Sequence, residues 1–210
     1  MTDFISGQQA FTFTEAAYAL GESVKSVTRL AEEHPDLVSK TTVGRRGRRV
    51  LRARDLIYMQ AARELQDILT PVGRRRLHEA LLVPGAHREV TLGSMTLPLE
   101  PIEQKVRQRV DVLDRLKETV EGDPDDPFLK GTGVEVYRIA ALLAGGATTD
   151  EVREDYPSLR LEQIEHARDY ASALPKKGRP YAARSFKRAT RELDLQLVDE
   201  LLAQEDKDGE

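Results

Sequence analysis

The 210-residue chain contains no cysteine and no tryptophan. Without cysteine there is no disulfide, no thiolate-held zinc or iron–sulfur centre and no thiol nucleophile. Aromatic residues make up only 5% of the sequence, which favours aliphatic helix packing over a β-sandwich core. No apolar run approaches the ~20 residues needed to span a bilayer. The opening stretch MTDFISGQQ has neither the basic region nor the apolar core of a secretory signal. These absences predict a soluble, cytoplasmic chain with no membrane partner. The length corresponds to one large domain or two small ones.

The charge that is present falls in blocks, which the net value of −4 conceals. Residues 40–88 carry twelve basic and four acidic side chains, and residues 89–174 carry ten and eighteen. Residues 175–191 carry seven basic side chains and no acidic one, whereas residues 192–210 carry one and eight. A polyanion responds to the local field rather than to the total. The 40–88 block therefore suits nucleic acid despite an overall pI near 5.7.

Residues 12–20 read as a helix with Thr14 as its N-cap, broken by Gly21. Ser23 caps a second helix over 24–33, with Val24, Val27, Leu30 and Ala31 at helical spacing, and Pro35 closes it. Two short helices about a glycine-containing turn make a helix-turn-helix pattern. Residues 37–43, the run GRRGRR and residues 50–52 then read as a hairpin, or wing. A helix over 53–69 follows, with Leu56, Ile57, Ala61, Leu65 and Ile68 as its buried stripe. Pro71 opens another over 72–82. Short strands at 89–92 and 95–99 flank Gly93-Ser94.

A helix over 102–121 carries Val106, Val110, Leu113 and Leu116 close to a heptad seam. Packing on its own chain and packing on a second copy both satisfy that spacing; the homodimer reading places these four residues in the interface. GDPDDP, at 122–127, reads as an acidic, proline-rich linker. Helices over 137–143, from the Thr148-x-x-Glu151 capping box to 156, and over 161–174 then make a compact three-helix unit. The chain divides into 1–88, 89–122, 123–178 and 179–210.

Signs of enzyme chemistry are sparse. His34, His78, His87 and His166 never stand as a ligand pair one turn apart. GTG at 131–133 lacks the Lys-Ser/Thr of a phosphate loop, and Asp123, Asp125 and Asp126 lack calcium-loop spacing. No catalytic residue, metal or cofactor is expected. The helix-turn-helix carries more. Its second helix would offer Ser23, Lys25, Ser26, Thr28 and Arg29 to base edges in a major groove. Arg45, Arg46, Arg48 and Arg49 on the wing have the charge and reach to hold phosphates or enter a minor groove.

FTFTEAAYALGESVKSVTRLAEEH and VLRARDLIYMQAARELQ resemble the opening helices and wing exit of the MerR-like winged helix-turn-helix, over about residues 10–82. Leu51 stands where that family has tyrosine, and its metal-sensing cysteines are missing, so a metal-sensor role is not implied. FLKGTGVEVYRIAALLAGGATTDEVREDYPSLRLEQIEHARDYA looks like a small bacterial antitoxin domain, with the same helices, gaps and E-V-x-x-x-Y-P turn. Gly133 stands where that domain usually has arginine. Such proteins typically accompany toxins of the PIN ribonuclease type, so the whole chain resembles a long VapB-type antitoxin.

The tail agrees on physical grounds. Phe186, Leu193, Leu197, Val198, Leu201 and Leu202 fall on or near one helical face, and such a stripe is usually ordered by a partner. Docking on its own domain is the other reading. Arg184, Lys187, Arg188 and Arg191 would complement the acidic metal site of a PIN nuclease. The expected protein is mainly α, with a winged helix-turn-helix, a hairpin and connecting helix, a homeodomain-like three-helix unit and a helical tail. Its expected function is that of an antitoxin, a homodimer that binds operator double-stranded DNA and neutralises a PIN-like ribonuclease toxin. A stand-alone MerR-like regulator responding to a small ligand is the alternative. A metal-dependent nuclease using the acidic 122–127 stretch is a third.

Overall fold

A computed structural model of the chain describes residues 9–33, 39–41, 48–83, 89–183 and 190. Among them the chain is mainly helical, with eight helices and seven short strands paired in three small antiparallel sheets. It forms two compact units, Met1–Arg115 and Leu116–Glu210.

The first unit opens with β1 (Ala10–Phe11), α1 (Phe13–Leu20) and α2 (Val24–Glu33). Helix α1 starts at Thr12, not at Thr14. The Thr12 hydroxyl accepts the Glu15 N–H at 3.3 Å, and the Glu15 carboxylate accepts the Thr12 N–H at 2.6 Å. This reciprocal cap satisfies two otherwise orphaned donors, and Glu15 stands three residues after Thr12, the spacing a capping box needs, but one after Thr14. Ser23 caps α2 as its sequence predicts, its hydroxyl accepting the Ser26 N–H at 3.0 Å.

Strands β2 (Ser39–Thr41) and β3 (Arg48–Arg52) pair antiparallel, with Ser39 opposite Val50 and Thr41 opposite Arg48. Strand β1 adds to the other edge of β3, with Phe11 opposite Leu51. Both of these side chains are fully buried. Two residues, Ala10 and Phe11, are too short a run to read as a strand from the sequence.

Helix α3 (Ala53–Glu64) is five residues shorter than the pattern over 53–69 suggests. The chain turns after Glu64, and Ile68, expected in the buried stripe, is 64% exposed. Thr70 then caps α4 (Pro71–Leu82), accepting the Gly73 N–H at 3.2 Å, with Pro71 at the first helical position. Strands β4 (Glu89–Leu92) and β5 (Met95–Pro98) form the two-residue hairpin that Gly93-Ser94 predicts.

Helix α5 (Glu100–Glu118) follows, and its apolar stripe corrects the dimer assignment. Val106, Val110 and Leu113 are 1%, 2% and 0% exposed within the single chain. Val106 and Val110 join the core formed by Phe11, Leu56, Ile57 and Leu77. Leu116 packs on the core of the second unit. This stripe is already covered by its own chain, while the exposed side of α5 carries Gln104, Lys105, Gln108 and Asp111.

The second unit contains β6 (Val120–Asp123), β7 (Asp126–Leu129), α6 (Val136–Ala144), α7 (Thr149–Asp155) and α8 (Leu161–Ala173). The acidic GDPDDP stretch is therefore a hairpin tip and not a linker. Asp123 lies opposite Asp126, and the Asp123 carboxylate accepts the Asp125 N–H at 2.8 Å, closing the turn. Leu129, Ile139, Leu142, Val152, Ile164 and Tyr170 form the core of this unit. The Thr148–Glu151 capping box opens α7 as predicted. Leu161, expected on the packed face, is 52% exposed at the first position of α8, and Leu159 is buried instead.

Beyond α8 a strap of chain runs back along α6. The Tyr137 hydroxyl donates to the Leu174 carbonyl at 2.8 Å, and Arg138 donates to the Ala182 carbonyl at 3.2 Å. The Lys176 ammonium lies 5.3 Å from the Tyr137 ring and 4.8 Å from the Tyr181 ring, and pairs with Asp126. Burial, helped by Tyr170 and by the Asp125 and Asp126 carboxylates, pushes the Tyr137 phenol up to about 12. Among the described residues no helix is long and apolar enough to cross a membrane.

Candidate nucleic-acid interface

The turn between α1 and α2 depends on Gly21. Its φ of +66° lies in the left-handed region, and its N–H bonds the carbonyls of Ala17 and Tyr18. The Arg109 guanidinium occupies the space a side chain would need, 1.8 Å from an ideal Cβ. The tight turn presents α2 with only Val27 and Ala31 buried.

Lys25 and Arg29 are consequently exposed, Ser26 and Thr28 half-buried. The residues singled out on this helix thus share its outward side, but their hydrogen-bonding capacity differs. Thr28 spends its hydroxyl proton on the Val24 carbonyl at 2.8 Å, so it faces a partner as an acceptor. Ser23 has already used an acceptor lone pair as the cap of α2. Among the described residues Arg29 is paired with Glu33 alone, 3.9 Å away, and 77% of its side chain is exposed.

On the arm, Arg45 and Arg46 lie outside the described residues, and Arg48 is placed by backbone only, opposite Thr41. Arg49 is exposed, yet its guanidinium sits 5.1 Å over the Phe13 ring at the start of α1. The sequence gives no sign of this contact, because Phe13 reads simply as a helix residue. It ties the arm to α1. The exit of the arm is pinned as well: the Asp55 carboxylate accepts the Arg52 N–H at 2.7 Å. Burial pushes the Asp55 carboxyl above its ordinary value of 3.8, against the lowering effect of that hydrogen bond and of Arg54.

Behind α2 lies a groove of about 410 Å³ between α2 and α3, reached also by Arg74 of α4. Leu20, Val27, Leu30, Met59 and Ala62 supply its apolar lining. Ser26 and Arg29 line it too, so they belong both to this groove and to the outward side of α2. Gln60, Arg63 and Arg74 escaped sequence reasoning, since one falls within an apolar stripe and the others in a generally basic block.

The third sequence reading relied on Asp123, Asp125 and Asp126. Asp123 closes the hairpin turn, Asp125 faces Lys177 at 3.5 Å, and Asp126 pairs with Lys176. Among the described residues no group of three or more His, Asp or Glu could hold a metal ion. The tail residues Arg184, Phe186, Lys187, Arg188, Arg191, Leu193, Leu197, Val198, Leu201 and Leu202 lie outside the described residues.

Residues 125–171 match the model of a family described as a protein of unknown function, DUF433. The matched stretch runs from the hairpin tip through α8. Over most of its length the chain is similar to "Uncharacterized protein y4eO" of Sinorhizobium fredii (strain NBRC 101917 / NGR234), at 32% identity. That alignment covers 79% of this chain and 82% of the relative. No solved structure matches the chain.

Proposed function

This chain belongs to the family of the Sinorhizobium fredii protein y4eO and contains a DUF433 domain, and we propose that it is a DNA-binding antitoxin. In this reading the first unit is a winged helix-turn-helix of MerR-like type. Helix α2 enters the major groove, with Lys25, Ser26, Thr28 and Arg29 toward base edges. The arm from β2 to β3 lies on the phosphates through Arg45, Arg46, Arg48 and Arg49. The observation that carries the reading is α2 itself: a capped helix set by a left-handed glycine turn, burying two residues and leaving its cationic side outward. The reading includes a homodimer, with its interface away from the α5 stripe.

The second half of the reading concerns a PIN-like ribonuclease toxin. Support comes from the resemblance of residues 128–171 to a small antitoxin domain, and from the basic then apolar tail that follows it. Residues 179–210 would hold the nuclease, with the apolar stripe as anchor and the basic side chains toward its carboxylates.

Duplex DNA from upstream of the chain's own gene tests the first half. Replacing Arg45, Arg46, Arg48 and Arg49 together should weaken binding to every sequence. Each lost phosphate contact should flatten the slope of log K against log salt by about 0.9. Arg29→Ala should instead relax sequence preference, at ~1–3 kcal/mol. A salt slope unchanged by the four-fold substitution would remove the arm from the interface.

A further inference from the structure

We infer that the groove between α2 and α3 is a binding site for a small amphipathic monocarboxylate, whose occupancy draws Arg29 away from nucleic acid. The size fits: about 410 Å³ lies within the ~300–1,000 Å³ range of small-molecule pockets. The lining divides by chemistry. Leu20, Val27, Leu30 and Met59 offer surface to an apolar body.

The polar lining selects a single negative charge. It holds three guanidinium groups and two carboxylates, and the carboxylates are taken up internally. Glu22 pairs with Arg63 at 2.5 Å, and Glu33 with Arg29 at 3.9 Å. Among the described residues Arg74 is the cation of this lining that no carboxylate pairs. It makes one long bond, to the Gln66 carbonyl at 3.4 Å, and its Nε–H is buried without an acceptor. Among the described residues no carboxylate is paired with this guanidinium, so an arriving carboxylate would balance its charge. A dianion would exceed the one uncompensated charge, and a cation would meet Arg74.

The consequence for the opposite side of α2 follows from Ser26 and Arg29, which line the groove while standing among the residues assigned to DNA. Among the described residues the long pair with Glu33 is the one restraint on Arg29. A carboxylate in the groove offers it a closer anion on the side away from the duplex. This coupling rests on the DNA reading above; the site itself does not.

Octanoate is the probe, titrated calorimetrically into the full-length protein, with octanol and octylamine as neutral and cationic controls. Octanoate should bind saturably, and both controls at least tenfold more weakly. Arg74→Gln should cost octanoate tenfold or more, and Arg74→Lys, which keeps the charge, should restore most of it; circular dichroism of each variant shows that it is folded. Absence of saturable octanoate binding, or equal binding of octanol, or indifference to Arg74→Gln in a folded variant, overturns the site, and none of these arms needs DNA. In a duplex-binding assay, octanoate and DNA should weaken each other by the same factor. DNA affinity unchanged at saturating octanoate overturns the coupling, whereas failure to bind any duplex refutes the DNA reading and leaves the octanoate result standing.

Discussion

At the scale of single residues, two glycines show different physical demands. Gly21 sits at φ +66°, where an L side chain is strained by about 1–2 kcal/mol. The atoms crowding it belong to the far end of Arg109, which is free to swing aside. Gly21→Ala should therefore lower the denaturation midpoint, and adding Arg109→Ala should recover little of the loss. Full recovery in the double variant would make the cost steric. Gly145 has an ordinary φ of −78°, but an added Cβ would lie 1.8 Å from the Ala183 carbonyl oxygen. Backbone has no comparable freedom to move, so Gly145→Ala should unseat the strap and speed tryptic cleavage after Lys177. An unchanged cleavage rate would refute that contact. Gly21 was legible in the sequence as a helix breaker before a capping serine. Gly145 was legible only as a turn, because its partner is a main-chain atom far along the chain.

At the scale of elements, α3 is tied to its neighbours by carboxylates with opposite pH behaviour. Glu64, at the end of α3, accepts from Lys105 of α5 at 2.9 Å and from Gln60 at 2.7 Å. The Lys105 hydrogen bond is the main cause that lowers its carboxyl below the ordinary 4.5. A lowered folded value means stabilisation that is present above 4.5 and lost as pH falls through the folded value. Asp55 is raised by burial, so its contribution declines as pH rises from 3.8 toward its folded value. Glu64→Gln should flatten the acid limb of a stability–pH curve measured by urea denaturation, and Asp55→Asn should not. In the second unit, Tyr137 is raised to about 12, so its neutral form favours the fold and stability falls as pH climbs from 10 toward 12. Ultraviolet titration at pH 11 should find one fewer un-ionised tyrosine in Tyr137→Phe than in the parent chain, with Tyr181, also raised to about 12, still among the late ones.

Helix starts were largely legible, since capping boxes and prolines are local signals. The ends of α3 and α5 were not. Each apolar pattern ran on past the helix into residues that the structure uses in a turn or in β6. The hairpin at 120–129 was hidden because charge and proline mask its alternation. The α5 stripe was read correctly as apolar, but periodicity does not say whose surface covers it.

At the scale of the whole molecule, the boundary of the second unit sets how the tail is to be separated from it. Truncation after Ala183 should preserve both units and duplex binding while abolishing neutralisation of a partner nuclease in a growth-rescue assay. Truncation after Lys177 removes Tyr181 from Lys176 and Ala182 from Arg138, and should lower the melting temperature of the second unit. Equal melting temperatures would make the strap dispensable. Rescue of growth by the shorter chain would move toxin binding to the three-helix unit. The strap also sets a limit of reach. From Ala183, seated over Gly145, ten residues lead to Leu193, and a fully extended chain covers at most about 36 Å over that length. Whatever is held at Leu193 stays within that radius of the second unit, so a tethered partner meets its surface at a local concentration on the order of millimolar.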